Sequence, residues 1–303
     1  MQSSAFFITC TDGHNMPVYR WLPGTEVLAV LHIAHGMSEY GQRYAPIAEI
    51  LVRQGFAVYA HDHRGHGEAT GMLGYAGRDF FNKQVDDIHL LMQYYHDLYP
   101  GKKIFLLGHS MGSFIAQRFF QLYGNEINGL ILSATNGKED PLLSFGIAVA
   151  WLQMKLFGAR HISNLIDSLS FGKFNKVFKP NRTQSDWLSR SEAEVDKYVN
   201  DPKCGFVCTA SLFYDFFRGL KDVFKKENIA AIPKNIPVYA FAGDRDAVGN
   251  MGKGFIQLID NWKAAGVCDI EYKLYPGGRH EMLNEINREE VINDLIRWLK
   301  KHL

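Results

Sequence analysis

Apolar and polar positions divide this chain into stretches of different rhythm. From Val27 to Ser133, short apolar runs alternate with longer segments whose apolar residues recur every three or four positions. The runs Val27 to Ile33, Phe56 to Ala60, Ile104 to Leu107 and Gly129 to Ser133 have the length and content of buried parallel strands. Between them, Arg43 to Arg53, Phe81 to Leu98 and Met111 to Leu122 carry helical spacing; in the last, Met111, Phe114, Ile115, Phe119 and Leu122 share one face. Ahead of this region, Ala5 to Thr9 and Met16 to Trp21 alternate about a turn at Asp12-Gly13-His14-Asn15, which predicts a hairpin.

The alternation stops between about 137 and 227, where helical patterns occur without a convincing strand. It resumes with a strand over Pro237 to Ala242, a helix over Gly252 to Ala264 and a strand over Ile270 to Tyr275. A last helix carries Val291, Ile292, Leu295, Ile296 and Leu299 on one face. The pattern predicts an α/β fold: a mostly parallel, eight-stranded, doubly wound sheet flanked by helices. Residues 1–136 and 228–303 make its core, and 137–227 are a helical insertion. Within the insertion, Leu142 to Met154 is thirteen residues without a charge, too short for the roughly 20 that span a bilayer. It is expected to be either a buried helix or a lid helix whose apolar face lines a pocket. Lys173, Lys176, Lys179 and Arg182 then recur every third residue, and eight basic residues face four acidic ones between Lys138 and Arg190. That basic face is either solvated or in transient contact with a membrane surface. Ser191 with Glu194 has the form of a capping box opening a helix through Val199.

Composition narrows the class. The 303 residues are 47% hydrophobic and 21% charged, as expected of a folded globular chain, and a net charge of +1 gives no reason to expect a nucleic-acid partner. Cys10, Cys204, Cys208 and Cys268 are scattered, which fits ordinary thiols in a reducing, cytoplasmic compartment. Met1 to Cys10 lacks the basic and long apolar regions of a secretory signal.

The chemistry centres on Gly108-His109-Ser110-Met111-Gly112. This G-x-S-x-G lies between a predicted strand and a predicted helix, so Ser110 occupies a sharp turn at the positive end of a helix. A serine hydroxyl needs a base, and the base an orienting acid. In open α/β sheets such groups gather beyond the carboxyl ends of strands. There the chain offers Asp244 and Asp246 after one strand and His280 after the next. Asp246 is favoured as the acid, because Asp244 sits nearer the strand end and suits closing the turn. The order Ser110, Asp246, His280 is that of an α/β-hydrolase triad. Backbone N–H groups of Met111 and, from the loop His35-Gly36-Met37, of Met37 are candidate oxyanion donors. His35 then supports the loop. His61, His63 and His66 invite a metal reading, but the acid that a binuclear zinc site needs is Gly65, so neither metal nor cofactor is expected.

With these residues in place the chain resembles the α/β-hydrolase superfamily over nearly its whole length. It is most similar to the monoacylglycerol lipase and lysophospholipase group, which includes serine aminopeptidase-like hydrolases. His35-Gly36-Met37-Ser38-Glu39 with Arg43-Tyr44, Asp62-His63-Arg64-Gly65-His66-Gly67 and Gly108 to Gly112 carry the resemblance, with Asp246 and His280 as acid and base. Ala247 stands where proline is usual after the acid, and Glu68-Ala69 replaces a small polar residue. The resemblance implies that 137–227 is a cap over the active site. It also implies two-step acyl transfer on lipid-like esters such as monoacylglycerols or lysophospholipids. Glu39 and Arg43 match polar positions near the family's active site, and either contacts substrate or forms a structural ion pair. The same triad would also serve an aminopeptidase, a thioesterase or an acyltransferase, and the fold hosts low-turnover binding proteins too. An aspartate nucleophile is excluded by Ser110 at the elbow.

Overall fold

The computed structural model describes residues 2–303. The predicted hairpin is β1 (Gln2–Thr9) and β2 (Asn15–Leu22), longer than its alternation showed because backbone pairing continues from Thr9↔Asn15 out to Gln2↔Leu22. β3 (Ala29–Ala34), β4 (Phe56–His61), β6 (Gly129–Ser133) and β7 (Val238–Gly243) are buried along their whole length. β5 (Lys103–His109) is buried beyond its first residue, and β8 (Ile270–Tyr275) forms an edge. The order is β1-β2-β4-β3-β5-β6-β7-β8, antiparallel at β1, β2 and β4 and parallel from β4 onward.

Continuous apolar strands demand cover on both faces. One face receives α1 (Ala45–Val52) and α10 (Arg288–Lys301), whose Leu51, Leu295 and Trp298 pack on Leu31 and Phe105. The other receives α2 (Phe80–Leu98), α3 (Met111–Tyr123) and α9 (Lys253–Ala264). The helix expected from Arg43 begins instead as a 3₁₀ turn, Gly41–Tyr44, and becomes α-helical at Ala45, where Pro46 suits a first turn. From β3 the chain runs outward to β4 and then returns to β3's other side as β5. This switch point opens a crevice at the carboxyl ends of β3 and β5.

Five α-helices and a 3₁₀ turn (Phe174–Phe178) lie between β6 and β7, the α-helices being α4 (Leu143–Phe157), α5 (Asn164–Ser170), α6 (Glu192–Asn200), α7 (Ala210–Phe224) and α8 (Lys226–Ala231). The expected boundary at 227/228 falls inside α8. α7 joins the insertion to the sheet domain by burying Leu212, Phe213, Phe216 and Val223. The apolar stretch 142–154 meets neither expectation. α4 buries only Leu143 and Ala150 and presents Phe145, Trp151, Leu152, Leu156 and Phe157 to solvent. The capping box also fails. α6 does start after Ser191, but the Ser191 hydroxyl caps nothing, and Glu194 pairs with Lys197 and Arg288.

The loops after β3 and β4 rest on buried polar groups. Asp62 accepts from the Gly41 and Glu68 amides (both 2.8 Å) and from the Tyr19 hydroxyl. Arg64 bridges Asp12 and Asp87. His35 Nε2 accepts from the His63 amide (2.9 Å), as the loop-supporting role expected of it requires, and His61 Nδ1 lies 2.8 Å from His32 Nε2. His66 Nδ1 faces the Arg64 carbonyl, so His61, His63 and His66 engage separate partners. Burial holds His32 and His66 at about 3 and His63 at about 4, against an ordinary 6.5, and pushes His35 and His61 the same way. These rings are neutral when folded, so below pH 6.5 the unfolded chain binds more protons. Their stabilisation is complete above 6.5 and is lost as pH falls towards the folded values. Each ring accounts for about 1.4 kcal/mol one pH unit below 6.5. The urea midpoint is therefore expected to fall steeply between pH 7.5 and 5.5; equal midpoints would refute this account.

Candidate active site

Ser110 joins β5 to α3 with φ 50° and ψ −119°. Such backbone costs a non-glycine residue about 1–3 kcal/mol and persists only where the surroundings impose it. The Ser110 amide donates to the Ser133 carbonyl (3.0 Å) and the Ser113 hydroxyl donates to the Ser110 carbonyl (2.6 Å). A Cβ on Gly112 would collide with the carbonyls of Ala34 and His35, and one on Gly108 with the backbone of Gly112 and Ser113. The two glycines thus let α3 cross close to β3 and β5, and the turn lifts the Ser110 side chain into the crevice.

The structure brings Ser110, His280 and Asp246 together. His280 Nε2 lies 2.9 Å from Ser110 Oγ, and its Nδ1 lies 2.9 Å from Asp246 Oδ1. A carboxylate only accepts, so Nδ1 carries the proton and Nε2 is left to accept from the hydroxyl. Asp246 is fully buried and its Oδ1 also accepts from the Val248 amide (2.9 Å). Burial of His280 opposes its protonation, but the neighbouring Asp246 carboxylate outweighs it, so the pKa stands above the ordinary histidine value. Asp244 turns away and accepts from the Gly277 amide at 2.7 Å. Met37 and Met111 line the same cleft as Ser110, and their amides donate to no other group among the described residues.

Glu39 and Arg43 make the contacts of ion-pair partners. Glu39 Oε1 accepts from the Gly36 amide (2.5 Å) and the Tyr44 hydroxyl (2.9 Å), which fixes the loop that presents Met37. Arg43 lies between Glu39 and Glu281, 2.5 and 2.9 Å away, under the Tyr198 ring. Burial raises the pKa of Glu39; at Glu281 burial acts the same way, but Arg43 prevails and holds it at about 2.

Ser110 opens onto a cleft of about 410 Å³. The inserted segment supplies much of its wall, including Phe171, Phe174, Trp187, Leu188 and Phe216, while Phe114 comes from α3. None of these is marked by a sequence motif. Glu281 is missed too, although it adjoins His280. The Cys10, Cys204, Cys208 and Cys268 thiols are all unpaired, and none of them faces Ser110.

Known proteins resemble this chain over most of its length. A family profile described as serine aminopeptidase, S33, matches residues 25–287. The monoacylglycerol lipase of Mycolicibacterium smegmatis is 29% identical over 287 residues, covering 93% of this chain and 92% of its own. Human monoglyceride lipase is 26% identical over 299 residues, covering 96% and 88%. A thermostable carboxyl esterase from Bacillus coagulans, solved in complex with glycerol, superposes with a TM-score of 0.92 at 27% identity over 99% of both chains.

Proposed function

We propose, because this chain belongs to the serine aminopeptidase S33 family, that it hydrolyses monoacylglycerols through a Ser110-His280-Asp246 triad. At the coarser level it is a carboxylic ester hydrolase on the α/β-hydrolase fold. The observation that carries the finer reading is the 2.9 Å step from Ser110 Oγ to His280 Nε2, continued at 2.9 Å to Asp246.

In this mechanism His280 takes the Ser110 proton as Oγ attacks the ester carbonyl. The Met37 and Met111 amides receive the oxyanion, each contributing about 3 kcal/mol to transition-state stabilisation. His280 then returns the proton to the departing glycerol oxygen, and water repeats the sequence to free the fatty acid. The aromatic wall of Phe171, Phe174 and Phe216 suits an acyl chain. An aminopeptidase needs a free carboxylate for the substrate amine. Two of the acids lining the cleft, Glu39 and Glu281, are held by Arg43 and are not free for that role, which leaves Asp167 as the carboxylate such a substrate would need.

The 137–227 insertion acts as a cap in this reading, and its surface fits transient contact with lipid. Among the described residues no helix is long and apolar enough to cross a membrane. The solvent-facing apolar side of α4 and the exposed Lys173, Lys176 and Lys179 instead suit lying on a membrane. One experiment tests both parts: turnover of monoacylglycerols of increasing chain length in anionic vesicles, beside water-soluble p-nitrophenyl esters, lysophospholipids, thioesters and aminoacyl amides. Monoacylglycerols in vesicles are expected to be turned over fastest. Preference for aminoacyl amides or thioesters would overturn the substrate, and indifference to the vesicle would overturn the surface contact.

A further inference from the structure

The loop that bears His280 is stitched to residues 186–190 of the insertion. Arg279 donates to the carbonyls of Asp186 and, at 3.1 Å, Ser189; the Glu281 amide donates to the Leu188 carbonyl at 2.7 Å. The fully buried Glu285 carboxylate accepts from the Arg279 and Arg190 amides (both 3.0 Å) and from Arg190 Nε (2.9 Å). Residues on either side of His280 therefore hold residues on either side of Trp187. The outcome is a ring contact: the Trp187 and His280 centroids are 5.0 Å apart, with 39° between the planes. Trp187 makes further ring contacts with Phe171 and Phe174, so the indole is itself braced.

We infer that Trp187 is a positioning residue for His280: its indole holds the imidazole plane in line between Ser110 and Asp246 and stabilises the ring while it carries its second proton. The inference rests on the hydrolase reading above. Acyl transfer makes an imidazolium each time His280 accepts the Ser110 proton. A cation within about 6 Å of an indole centroid is attracted by the negative face of the ring. The carboxylates that favour a charged His280 are Asp246 from the β7 loop, Glu281 from its own loop and Glu39 from the segment after β3, the last two paired with Arg43; the His109 ring at the end of β5 lies 4.9 Å away. From the insertion, Asp186 spends its carboxylate on Thr183 and the Arg182 amide, and Trp187 is the group that meets the imidazole.

The test pairs a pH profile with a spectroscopic signal. Trp187→Leu keeps an apolar side chain but removes the aromatic face. It is expected to lower the acid-limb midpoint of kcat/KM by about half to one pH unit, whereas Trp187→Phe retains most of the wild-type value. An imidazolium in contact with an indole also quenches its fluorescence. The wild-type signal minus that of Trp187→Phe should therefore titrate with the same midpoint, and His280→Gln should abolish that titration. The subtraction is required because Trp298 lies 4.4 Å from His302. An unmoved midpoint in Trp187→Leu, or a difference signal that survives His280→Gln, overturns the inference. The fluorescence titration needs no substrate, so it stands or falls separately from the hydrolase reading, which fails if Ser110→Ala retains turnover.

Discussion

Alanine at Ser110 is expected to reduce ester turnover by about 10⁴-fold or more while leaving the urea midpoint close to that of the parent protein. The effect is large because the attacking hydroxyl is lost, and among the described residues no other nucleophilic side-chain atom is hydrogen-bonded to His280 Nε2. The fold is spared because the elbow is set by bonds to the backbone of residue 110, from its amide to the Ser133 carbonyl and from the Ser113 hydroxyl to its carbonyl, which alanine leaves intact. Initial rates on a monoacylglycerol, together with labelling by a fluorophosphonate, measure it. Turnover or labelling that persists in this variant would remove Ser110 from the mechanism.

Asp246→Asn is expected to cost about 10⁴-fold in kcat near neutral pH, the result of presenting the wrong tautomer. The carboxylate can only accept, and so keeps the proton on His280 Nδ1. An amide there can donate to Nδ1 instead, which leaves the remaining proton on Nε2, facing the Ser110 hydroxyl it ought to receive from. Asp244→Asn is the matched control. Its carboxylate meets the Gly277 amide, not the imidazole, so a loss below about tenfold is expected. Comparable losses in both variants would mean that loop geometry, not the tautomer, governs the rate.

Much of the sheet and of the proposed triad was legible in the chain, for identifiable reasons. Strands buried on both faces leave unbroken apolar runs, and the elbow needs glycines at fixed distances from Ser110, so both leave a local trace. Asp246 and His280 follow strands, and strand ends are where an α/β sheet collects its functional groups. Trp187 was invisible because nothing near it in sequence puts it over His280. That placement comes from Arg279 and Glu285, which lie about ninety residues further along and bond backbone groups of 186–190. The stretch 142–154 was legible as a helix but not in its facing. A segment apolar on all sides has no polar stripe to show which side is outward, and α4 turned out to bury little of it. The Ser191 capping box failed because Glu194 had better partners in Lys197 and Arg288, an outcome decided by tertiary contact.

The stitching of 186–190 to the His280 loop limits how the enzyme can admit a long substrate. If the whole insertion swung outward as one piece, it would drag the imidazole off its hydroxyl, and each opening would dismantle the machinery it served. Any widening would therefore fall to the α5 side, whose helix makes no hydrogen bond to residues 278–285 among the described residues. With the stitched lip so fixed, a cleft that widened at the other would admit its guest without the reacting atoms losing alignment.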